Sequence, residues 1–104
     1  MDSRDLQTGL NLIRKDFNLD ASELAIPEDE LSTETLLKKL SYLVAYLMEK
    51  DFSKLLQVLY RIDVSEERLK AALATQAQAP SDLIAQMILE REMQKVETRK
   101  KYGG

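Results

Sequence analysis

The chain has 104 residues with net charge −3, enough for one small domain with a single core. It contains no cysteine and no histidine. Disulfides, thiolate metal sites and thiol nucleophiles are therefore excluded, and the commonest general base and metal ligand are missing. An enzyme would have to work with Asp, Glu, Lys or Tyr alone, and the expectation is of no enzymatic activity.

Three glycines and two prolines leave few helix breakers among many Leu, Ala, Glu, Lys and Gln residues. The charge is uneven. Residues 1–34 hold nine acids against three bases, residues 35–89 are close to balance, and residues 90–104 hold five bases against three acids. An acidic chain is repelled by phosphate backbones, so nucleic acid is a poor partner.

The first helical pattern is Leu6, Leu10, Ile13 and Phe17, four apolar residues on one face. Ser3 is its plausible cap, Asp5 suits its first turn, and Gly9 weakens it. Residues 18–32 (NLDASELAIPEDELS) read as an ordered acidic connection anchored by Leu19, Leu24, Ile26 and Leu31, or alternatively as a loose linker. Asp20 with Glu23 forms a turn signal ahead of Pro27.

Ser32 caps the second helix, with Leu31 and Leu36 at hydrophobic-staple spacing. Leu36, Leu37, Leu40, Leu43, Val44, Leu47 and Met48 make a broad apolar arc, with Tyr42 and Tyr46 on its flank. The stretch is too short and too polar to span a bilayer. Asp51 caps a third helix carrying Phe52, Leu55, Leu56, Leu59 and Ile62, joined to the second by a kink or a reversal.

At DVSEE, Ser65 caps a fourth helix, or Asp63 with Glu66 forms a capping box in an alternative register. Either makes the segment a tight corner. Pro80 and Ser81 restart the chain into a last helix over roughly 82–101, stopped at Gly103. Leu83, Ile84, Met87 and Ile88 form one apolar arc of this helix. Ala85, Leu89, Met93 and Val96 form a second. Two stripes require cover on two sides, so either another part of this chain or another chain covers the second one, and a second copy of the chain is the expected cover.

The segments LVAYLMEKDFSKLLQVLYRIDVSEERLKAAL and LIAQMILEREMQKVETRKKY resemble a group of small bacterial proteins of unknown function. In that group a helix ends in Leu-Tyr-Arg-Ile/Leu-Asp-Val before an acidic cap, matched here by Leu59–Val64. A C-terminal helix of the form Ile-Ala-x-x-Ile-x-x-Arg-x-x-Gln-Lys follows, matched by Ile84–Lys95. The resemblance covers the chain from Leu36 onward. It implies an all-helical cytoplasmic protein and brings no catalytic residues.

These readings converge on an all-α fold: one domain over 1–104, a compact bundle of four to six helices. An acidic helix and connection occupy 1–31 and a helical core 32–101, built mainly from the second, third and last helices. No secretory signal is visible, and a cytoplasmic location is expected. Neither PEDELSTE nor DVSEE has the alternating oxygens and central glycine of a calcium loop, so no metal or cofactor is expected. The expected function is a protein-protein interaction module, homodimeric through Ala85, Leu89, Met93 and Val96, with Tyr42 and Tyr46 as further contacts. The alternative is a small-ligand-binding or nucleic-acid-associated regulatory protein. Arg61, Asp63 and Arg91 are candidates for a buried ion pair, with Glu90 a further candidate partner.

Overall fold

A computed structural model describes residues 3–20 and 23–102. Five helices run in order: α1 (Ser3–Phe17), α2 (Thr33–Lys50), α3 (Phe52–Ile62), α4 (Glu66–Ala74) and α5 (Pro80–Lys101), with a short 3-10 turn at Glu28–Glu30. There is no strand among the described residues. The side chain of Ser3 and the expected stop at Gly103 lie outside the described set.

Local signals explain the boundaries. Ser32 accepts a hydrogen bond from the backbone N–H of Thr35, and Asp51 accepts one from Lys54 N–H at 3.1 Å. Asp51 is a single non-helical residue (φ −158°, ψ 70°) that ends α2 and caps α3 at once. At the corner after α3, Ser65 is the cap that forms, accepting from Arg68 N–H.

Two helices end in the same way. α1 closes with Asn18 at φ 56°, Leu19 N–H bonding Arg14 O and Asn18 N–H bonding Lys15 O. α3 closes with Asp63 at φ 70°, Val64 N–H bonding Leu59 O and Asp63 N–H bonding Tyr60 O. Both are Schellman closures with Asn or Asp in the left-handed position that glycine usually fills. Between them, Asp20 accepts from Glu23 N–H through its side chain, realising the expected turn. Ile26 is buried, and Leu19, Leu24 and Leu31 pack against the core, so the connection is ordered and anchored.

α5 is the axis of the bundle. It packs most extensively against α2 and also against α1, α3 and α4. Leu6, Leu10, Leu12, Ile13 and Phe17 of α1 are all buried. The core is therefore not mainly the product of the second, third and last helices. The first helix, α1, is a full partner in it.

The consequence falls on the second stripe of α5. Ala85, Leu89, Met93 and Val96 are 1–8% exposed within a single chain. The expectation that a second copy covers them is corrected, and the alternative holds: other parts of the same chain do so. Gly9 shows how closely α1 lies, because a Cβ there would sit 2.6 Å from Met93 Sδ. Instead of merely weakening α1, Gly9 lets that helix settle onto α5.

Candidate functional site

Three places in the fold combine unusual chemistry with position. The first is a sealed cluster between α1 and α5. Glu92 has no exposed surface and is the one buried charged residue among those described. Stepping about 100° per residue, it falls between Ile88 and Ala85 on α5, in the middle of the buried arc. Lys95 Nζ lies 3.0 Å from Glu92 Oε1 and 3.5 Å from Asp16 Oδ2. Neither Glu92 oxygen has a well-directed hydrogen bond. Burial pushes the Glu92 carboxyl up to about 7, the neighbouring Asp16 adds to the rise, and Lys95 opposes it. One lysine cannot neutralise two carboxylates held away from water, so the protonated acid is the comfortable form of Glu92.

Arg61, expected in a buried ion pair, instead donates to the backbone carbonyl of Asp16 at 2.9 Å and is exposed. Arg91 does approach Asp63, at 3.7 Å, but the pair lies at the surface. Arg91 Nε also donates to Ile62 O, tying α5 to the closure of α3. The buried ion pair of Arg61, Asp63 and Arg91 is thus corrected. The charges drawn inward are Glu92 with Asp16 and Lys95 beside it, and Glu90 pairs with Arg68.

The second place is a shallow cleft of about 750 Å³ along α5, lined by Leu37, Leu89 and Met93 under a polar rim. Leu89 and Met93 present little surface there because α5 packs them inward. The rim residues Glu90 and Arg91 are already engaged by Arg68 and Asp63.

The third is a cleft of about 630 Å³ between α2 and the connection after α1. Leu43 and Leu47 of α2 line it together with Leu19 and Leu24 of the connection, and Lys39, Lys54 and Glu23 complete its charged lining. Tyr42 and Tyr46 border it with 68% and 60% of their surface exposed. Four residues apart on one helix, they present a continuous aromatic edge. Leu24 holds φ 52°, a conformation a leucine side chain disfavours. Arg14 Nη2 donates to its carbonyl at 3.1 Å and holds it there.

Sequence reasoning found the tyrosines and missed the wall they face, because Leu19 and Leu24 come from a separate segment. It missed Glu92 although the angular position on α5 marks it as lying inside the apolar arc. Compared with family models, curated proteins and solved structures, the chain matches none of them.

Proposed function

We propose that this chain is a non-enzymatic helical interaction module whose working surface is the tyrosine-bordered cleft on α2. The observation that carries the reading is the pair Tyr42 and Tyr46, large aromatic side chains left in water beside an apolar floor. Aromatic residues of this kind become anchors when a partner covers them, since ring burial is favourable and the hydroxyl stays wet at the rim. The strained Leu24 on the opposite wall supports it, as strain of order 1–3 kcal/mol collects where a surface is shaped for use.

The sealed cluster fits poorly with catalysis. Glu92 is the carboxyl whose proton affinity is shifted, yet it has no exposed surface through which a substrate could reach it. The α5 stripe, once the reason to expect a homodimer, is occupied by α1 and its neighbours. Self-association, if it occurs, uses α2.

A benzophenone amino acid in place of Tyr42 tests the proposal by photo-crosslinking in the producing cells, with the same replacement at exposed Lys70 on α4 as control. Discrete protein adducts from position 42 and none from position 70 are expected. An adduct of twice the chain mass would identify the partner as a second copy. Equal or absent adducts at both positions would remove the α2 surface from consideration.

A further inference from the structure

We infer that the occupant of the α2 cleft is an acidic peptide segment of a partner protein, carrying one or more aliphatic side chains between its carboxylates. The inference rests on the interaction reading above and specifies the chemistry of the partner.

Charge is the first argument. On the α4 and α5 side four cations are matched, Arg68 with Glu90, Arg91 with Asp63, Lys95 with Asp16 and Glu92, and Lys100 with Asp5, while Lys70, Arg99 and Lys101 stand outside any ion pair among the described residues. At the α2 cleft the lysines are unmatched. Lys39 and Lys54 line it, Lys38 and Lys50 flank it on the same helix, and none has a carboxylate in ion-pair range among the described residues. In a chain of net charge −3, the cleft lining holds two unpaired lysines against the single carboxylate of Glu23, a small positive excess beside exposed tyrosines. Such a patch steers and orients an anionic partner.

The floor is the second argument. Leu24 and Leu43 offer an apolar slot between the lysines, which a leucine or isoleucine of an incoming chain can fill. A phosphate backbone has no group for that slot. It would also meet Glu23 at the cleft edge and the net negative charge of the whole molecule. Two edge lysines match one or two carboxylates, which suits a short peptide.

Selection of a random-peptide display library on the full chain tests this directly. Enriched sequences are expected to place Asp or Glu on both sides of Leu, Ile or Phe. A synthetic peptide of that type should bind roughly tenfold more weakly to the Lys39→Glu/Lys54→Glu variant, and more weakly as salt rises, because its charge contacts lie at a solvated rim. Tyr42→Ser should weaken it as well. Lys39 and Tyr42 are exposed and Lys54 is half-buried, so the melting temperature of each variant is the control for folding. Enrichment of basic or uncharged sequences would overturn the acidic partner and leave the interaction surface standing. Displacement of the peptide by single-stranded oligothymidylate at lower concentration would reassign the cleft to nucleic acid. No enrichment over the double variant would overturn both inferences.

Discussion

Burying Glu92 takes a carboxylate out of water, and the pH dependence of stability follows from the sign of that cost. Its folded-state value, about 7, stands above the ordinary 4.5. An acid shifted upward stabilises the fold in its protonated form. That contribution is complete below the unfolded value and disappears as pH rises through the folded one. Across that interval the loss from this one group is about 3 kcal/mol, at 1.36 kcal/mol per pH unit. Glu92→Gln removes the titrating charge. Urea midpoints measured from pH 4 to 8 should fall across that window in the wild type and stay flatter in the variant. The variant should be the more stable protein at pH 8, by about 1–3 kcal/mol. Equal slopes would show that Glu92 does not titrate in this range. Glu92 was legible in principle, since its spacing from Ile88 and Val96 is four residues each way. Composition counts and motif searches pass over it because a lone glutamate on a helix ordinarily faces water.

Among the elements, α1 and α5 are mutually dependent. Gly9 lets α1 approach until a Cβ would press on Met93 Sδ, and Lys100 reaches Asp5 at 3.0 Å near the far end. Gly9→Leu inserts a side chain into a filled contact and should cost about 1–3 kcal/mol in chemical denaturation despite leucine's better helix propensity. Leu89→Ala should cost about 2–5 kcal/mol through the cavity it leaves, with no change in oligomeric state by light scattering. If dimerisation were lost instead, the second stripe would be an intermolecular surface after all. The left-handed closures behave locally: Asn18→Gly should stabilise by roughly 0.5 kcal/mol, read as a small rise in melting temperature, because glycine meets no Cβ penalty at φ 56°. The closures at Asn18 and Asp63 were not read from the sequence, whereas the N-caps were. Ser32, Asp51 and Ser65 all act where their spacing to the following apolar residues placed them.

Taken as one body, four helices close around α5 with a radius of gyration of 13.4 Å, near the ~13 Å of a compact domain of this length. Within that enclosure the first helix is structural. A chain lacking residues 1–20 would expose Leu89, Met93 and Val96 to water. It should lose cooperative unfolding and self-associate, which a calorimetric melt and light scattering would detect. A truncation that stayed monomeric and melted cooperatively would show that α1 is dispensable for the core. The α2 cleft keeps two large aromatic side chains outside the closed core, beside an apolar floor and unpaired lysines. It depends on α1 indirectly, because the connection that follows α1 supplies its second wall.

Local patterns were enough for the all-helical class, a bundle of four to six helices, their caps and the two apolar stripes of α5. Each of these is set by residues within about four positions of one another, through backbone hydrogen bonds and helical periodicity. Which stripe meets which helix was settled only by long-range packing. That packing buried Ala85, Leu89, Met93 and Val96 inside one chain, sealed Glu92 beside Asp16, and set Leu24 opposite Tyr42. Those outcomes depend on contacts between distant segments competing for the same apolar surface, and no local pattern states which competitor wins.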